Sequence, residues 1–118
     1  MDDQSIENEI QAKGLTAPRV TLADIEAVIV SEHYFTAADG AMSPTAVSLP
    51  RYDPALVPLD LLTLCVLVLG NGFTVTGESA CVSPENFDAE IGRKIARQHA
   101  VDKVWMLEGY VLRERLSA

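Results

Sequence analysis

Arg93 and Arg97 stand four residues apart in a stretch of helical spacing, so their side chains stack on one face. Two guanidinium forks on one helical turn can hold a diphosphate bidentately. Glu90 lies nearby, and from spacing alone a solvated charged stripe is the ordinary alternative, with Glu90 pairing to both arginines. Phe73 follows Asn71-Gly72, a tight-turn signal, and so sits at the tip of a hairpin. An aromatic there plugs a core edge or stacks on a nucleobase. Trp105 and Tyr110 fall at helical positions, where packing between subunits is the plain expectation.

Catalytic patterns are missing. The sequence has no GxSxG, HExxH, Walker loop or GxGxxG. His33 and His99 are its two histidines, and neither has a metal-ligand spacing to a second histidine or a cysteine pair. Cys81 and His99 could form a nucleophile pair in principle, but a small buried thiol and a surface histidine are the simpler reading. The expectation is therefore binding without catalysis, with no metal and no cofactor.

These residues need elements to position them. Residues 1–20 are polar and acidic and read as a flexible arm, with a single α+β domain over 21–118. Thr21-Leu22-Ala23-Asp24 resembles a capping box, and Leu22, Ile25, Val28 and Ile29 make an apolar face. That spacing predicts a helix from Thr21 to about Tyr34-Phe35. Residues 36–60 carry Gly40, Pro44, Pro50, Pro54 and Pro58, a long irregular connection in which Val47-Ser48-Leu49 could form an edge strand.

Leu61 to Val82 reads as a β-hairpin. A two-residue Asn71-Gly72 loop would pair Val68 with Val75. One face would then carry Leu62, Leu64, Val66, Val68, Phe73 and Val75, and the other Thr63, Cys65, Leu67 and Leu69. Cys65 and Cys81 would fall on opposite faces. A sheet with apolar residues on both faces needs two covers, which argues for a partner subunit. Ser83-Pro84-Glu85 reads as a helix start. Phe87, Ile91, Ile95, Val101, Val104, Trp105, Val111, Leu112 and Leu116 continue it, with Ile91 and Ile95 toward the core. The predicted fold is α+β: an N-terminal helix, an antiparallel hairpin-based sheet and a long C-terminal amphipathic helix, continuous or kinked, in an intertwined oligomer.

The formal charge of −8 over 118 residues is unevenly placed. Residues 1–60 hold ten acids and three bases; residues 84–118 hold six of each. An acidic chain repels a nucleic acid polymer, while an anionic small ligand would be drawn to the C-terminal segment. The acidic N-terminus does not look like a signal peptide, and Leu61 to Leu69 is half of what a membrane helix needs. No membrane association is expected, and both cysteines read as reduced thiols in a cytoplasm.

Cys65 through Ser79 (CVLVLGNGFTVTGES), Asn86 through Arg93 (NFDAEIGR) and Trp105 through Tyr110 (WMLEGY) resemble the hallmarks of a widespread family of small phage and prophage proteins. Ser31-Glu32-His33-Tyr34-Phe35 looks like that family's upstream segment. The chain is also similar to the Thoeris anti-defence protein one group, phage sponges that sequester the cyclic ADP-ribose isomer made by bacterial TIR-domain immune proteins. Some of them also hold cyclic oligonucleotides. The resemblance implies a homo-oligomer, dimer or hexamer, in the host cytoplasm, with nucleotide pockets between subunits. An aromatic would stack on adenine and helix arginines would grip the phosphates. Carried over, the ligand-binding set is Phe73, Val75, Asn86, Glu90, Arg93 and Arg97. Met106 stands where many members have proline, which puts any helix break there in question.

Overall fold

The computed structural model describes residues 2–49 and 57–118. Its fold is α+β, as expected: N-terminal helices, a three-stranded antiparallel sheet and one long C-terminal helix. Among the described residues, no helix is long and apolar enough to cross a membrane.

Residues 3–12, within the expected arm, form helix α1 (Asp3–Ala12), capped by the Asp2 carboxylate on the Ser5 amide. Glu7 ties it down. Its carboxylate accepts two bonds from the Arg19 guanidinium, at 3.0 and 2.6 Å, one from Gln11 and one from the Leu22 amide. The Arg19 and Gln11 bonds hold the Glu7 carboxyl down at about 2, from an ordinary 4.5.

Helix α2 (Leu22–Val28) has the capping box read from sequence. The Asp24 amide donates to the Thr21 hydroxyl and the Thr21 amide to the Asp24 carboxylate. The helix stops at Val28, however, and Ile29–Thr36 is strand β1. Helical spacing through Ile29 misleads here because Val30, Tyr34, Phe35 and Thr36, which follow, favour a strand, and a neighbouring strand accepts them. That neighbour is β2 (Leu62–Leu69), paired antiparallel from Thr36↔Thr63 to Ile29↔Leu69, with an irregularity at Val30. β1 thus takes the third-strand place that Val47-Ser48-Leu49 does not fill. Two short helices, α3 (Ala37–Ala41) and α4 (Val57–Asp60), belong to the connection to β2. Pro50, Tyr52 and Pro54 of the expected proline-rich connection lie outside the described residues.

The hairpin from β2 to β3 (Thr74–Ala80) is present, but its loop has three residues, Gly70-Asn71-Gly72. The Leu69 amide donates to the Phe73 carbonyl and the Gly72 amide to the Leu69 carbonyl, both at 2.8 Å. Gly72 takes φ +89, the left-handed geometry that such loops require at their last residue. The extra loop residue moves the register by one, so Val75 faces Leu67 and not Val68. Thr63, Cys65, Leu67 and Leu69 therefore share the buried face with Val75 and Gly77. Cys81 follows on the same parity as Cys65, not the opposite one. Both thiols are free: Cys65 is paired with Gly77, about 13 Å of strand short of Cys81, well beyond disulfide reach.

The C-terminal helix α5 (Ala89–Leu116) is continuous through Met106 and both of its glycines. It starts later than Ser83. Pro84–Asn86 is a 3-10 turn, and the cap is Asp88, whose carboxylate accepts from the Ile91 amide at 3.0 Å. Its buried stripe is Gly92, Ala96, Ala100 and Val104, four apart, with Val101 beside them. Ile91 and Ile95, expected in the core, are exposed at 56% and 42%. Close approach explains the exchange. A Cβ on Gly77 would overlap the Ala96 carbonyl and the Ala100 amide, and one on Gly92 would lie 2.9 Å from the Thr63 hydroxyl. Only small side chains fit that seam, so the isoleucines rotate out of it.

At about 1.5 Å per residue α5 spans about 42 Å, against about 27 Å for an eight-residue strand, so its end overhangs the sheet. The molecule measures 56 × 32 × 19 Å, one helical layer on one sheet. The outer face of β2 keeps Leu62, Leu64, Val66 and Val68 only half-buried.

Two outcomes test this architecture. Gly77→Ala should lose at least about 2 kcal/mol in urea unfolding, since backbone must move. Gly109→Ala, with open space around its Cβ position, should gain about 0.5–1 kcal/mol. The Glu7 pair gives a pH test. A carboxyl depressed in the folded chain stabilises fully above its unfolded value and is lost as pH falls toward the folded one. The melting-temperature gap between wild type and Glu7→Gln should be widest above about pH 5 and close as pH falls from 4.5 to about 2.

Candidate functional site

The six sequence-selected residues do not gather in one chain. Val75 is 6% exposed and belongs to the core under α5. A ligand reaching this chain's surface does not reach that side chain. Phe73 is 57% exposed at the hairpin tip, its amide held by the Asn71 side chain at 2.9 Å. Asn86 lines a hollow of about 270 Å³ at the other end of the sheet, together with Ser79, Cys81, Phe87, Ile91 and Gly92. Phe73 and Ser79 are separated by six residues of strand, about 20 Å. Arg93 and Glu90 sit on the first two turns of α5, near that hollow and far from Phe73.

The arginine pair divides as well. Arg93 is exposed and forms no ion pair among the described residues. Glu90 pairs with Lys94 at 3.2 Å rather than with either arginine. Arg97 is half-buried and turned across the sheet. Its Nε donates to the Glu32 carboxylate on β1 in a short contact, and its Nη2 reaches Glu26 on α2 at 3.5 Å. Burial alone would lower its pKa, but the bond and charge of Glu32 and the charge of Glu26 hold it above the usual value. Neither carboxylate figures among the sequence-selected residues. For Glu32 the signal was the strand character of β1, hidden by the helical spacing that precedes it; Glu26, on α2, carried none.

Beneath this cluster lie two shielded nucleophilic groups. Burial, with the charges of Cys65 and Glu32, pushes the Tyr34 phenol up to about 12. Burial also raises the Cys65 thiol, against a lowering bond from Tyr34. Both groups are held in their protonated forms, which suits packing. The other pair considered for chemistry is occupied: His99 Nδ1 lies 2.7 Å from the Glu78 carbonyl, and Cys81 donates to the Ser83 carbonyl. Among the described residues, no three His, Cys, Asp or Glu side chains gather as a metal site.

The arrangement thus presents exposed aromatic and polar groups at two separated places. One end offers an exposed aromatic face. The other offers an amide, Asn86, and a guanidinium, Arg93, without an ion pair among the described residues. A family model described as "Phage protein (N4 Gp49/phage Sf6 gene 66) family" matches residues 20–116, from just before α2 to the end of α5. No curated protein and no solved structure matches the chain.

The cross-sheet ion pairs make a stability test of Arg97. Arg97→Ala leaves Glu32 and Glu26 without their cation and should cost roughly 1 kcal/mol, read as a lower urea midpoint, while Arg93→Ala should change it little. Equal effects from the two variants would remove the distinction drawn between them.

Proposed function

The chain belongs to this phage protein family, and from that premise we propose that it works by binding, as a sponge that sequesters a cyclic nucleotide immune signal without hydrolysing it. The ligand class is a cyclic ADP-ribose isomer or a related cyclic oligonucleotide, as the resemblance to the Thoeris anti-defence group implies. The observation that supports it is the separation of exposed, complementary groups: Phe73 at one end, Arg93 and Asn86 at the other. Copies of the chain set side by side in opposite directions would bring one copy's Phe73 toward another's Arg93. Stacking from the first and a charge-assisted bond from the second suit a nucleotide with phosphates. In this arrangement Arg93 is the main phosphate ligand. Arg97 joins only by exchanging a carboxylate partner for a phosphate oxygen. Sequestration needs affinity alone, about 12 kcal/mol for nanomolar binding.

A second reading, inhibition of a host protein by direct contact, is favoured by the overhanging end of α5. Met106, Tyr110 and Leu116 are exposed there at 70%, 69% and 51%.

Calorimetry on the full chain separates the two. Micromolar or tighter binding of a cyclic ADP-ribose isomer or a cyclic di- or trinucleotide is expected. Arg93→Ala should weaken it by on the order of 1.5–3 kcal/mol. No heat with any of these ligands would sink the sponge. Recovery of one stoichiometric host protein on the same bait would then favour the second reading.

A further inference from the structure

A hollow of about 300 Å³ lies between α1 and α5, lined by none of the residues assigned to the nucleotide site. Its floor is apolar, made by Ile6, Ile10, Val20 and the Trp105 indole. Its polar lining is Asp3, Glu7, Arg19 and Asp102. The four polar groups do not cancel. Arg19 is the one cation among them, and Glu7 takes it with both carboxylate oxygens. Asp3 and Asp102 remain as two negative charges on the lining. Asp3 accepts from the Trp105 indole N–H at 3.2 Å and Asp102 from the Gln98 amide at 2.9 Å, both neutral donors.

An aromatic wall beside two carboxylates that form no ion pair among the described residues selects by charge. An anion is repelled. A neutral apolar molecule gains only the floor. An ammonium group gains both carboxylates and the face of the tryptophan, the ring that holds cations best. The volume is at the small end of the roughly 300–1,000 Å³ of ligand pockets, enough for one ring or a short chain. We propose that this hollow binds a small organic ammonium ion with an apolar body. The matched family span begins at residue 20, so the α1 side of the hollow lies outside it. The inference stands apart from the nucleotide reading.

Trp105 is the only tryptophan in the chain, so emission excited selectively beyond the tyrosine absorption band reports on the hollow. Phenethylammonium, phenethyl alcohol and phenylacetate present one ring with a positive, neutral or negative arm. Titrated into the full chain, the ammonium should give a saturable emission change with affinity at least about fivefold above the alcohol's, and phenylacetate none, as charge complementarity requires. Asp102→Asn keeps an acceptor for Gln98 and sits on an exposed turn of α5. It should remove most of that ammonium preference and leave the alcohol unchanged. Equal affinity for ammonium and alcohol, an unaltered preference in Asp102→Asn, or no saturable change with the ammonium would each overturn the proposal. Saturation with a cyclic nucleotide should leave the ammonium titration as it was; competition between them would count against a separate site.

Discussion

The approach of α5 to β3 at Gly77 is the constraint on which the other features hang. Backbone lies against backbone there, with no room for a methyl group. The helix can come that close only along Gly92, Ala96 and Ala100. Once it does, its rotation about its own axis is fixed. Ile91 and Ile95 are turned to solvent, Val101 and Val104 into the core, and Arg97 toward β1. A larger residue in the seam would lift the helix and loosen all of these together. Small residues contribute little apolar area themselves, so the stabilisation comes from what the close approach encloses: Cys65, Leu67, Leu69 and Val75 on the sheet.

The second theme is how the charge asymmetry is used. The acid-rich first half and the base-carrying last segment look, in sequence, like a repelling arm and an anion-seeking helix. In the fold they partly neutralise each other. Glu26 and Glu32 come from the first half and close on Arg97, which is 71 and 65 residues away. An arginine that spacing marks as a ligand is thereby drawn into holding α2 and β1 against α5. Its neighbour one turn earlier, Arg93, pairs with neither of those carboxylates. Spacing on a helix says which residues share a face. It does not say which carboxylates the rest of the chain will bring there.

Local signals were read correctly where the cause is local. The Thr21–Asp24 capping box, a hairpin turn around Asn71-Gly72 and a helix in the C-terminal segment depend on neighbours in sequence, and each is in place. The misreadings share another cause. Whether Ile29–Thr36 is helix or strand is decided by β2, whose paired residues lie 27 to 40 positions on. The register of β3 turns on one loop residue, and a shift of one exchanges every side chain between faces. Asp88 outcompetes Ser83 as the cap because Pro84–Asn86 closes its own 3-10 turn first. Of the candidate site, residue types and exposure at Phe73, Asn86 and Arg93 were legible; their separation by the length of the sheet was not.

That separation joins with the shape of the molecule. A chain of 118 residues folded as a compact sphere has a radius of gyration of about 13 Å, whereas this one has 18.0 Å. The excess comes from a long helix on a sheet only three strands wide, with one sheet face still half open. Thin two-layer folds leave apolar area that a third layer would cover. On the proposed reading another copy would be that cover, and it would also be the partner that the proposed ligand requires. The same open geometry that leaves Leu64 and Val66 half-exposed is what sets Phe73 and Arg93 too far apart to serve one ligand alone. On the proposed reading, association would address both at once: it would bury the sheet face and let groups from two chains meet on one nucleotide.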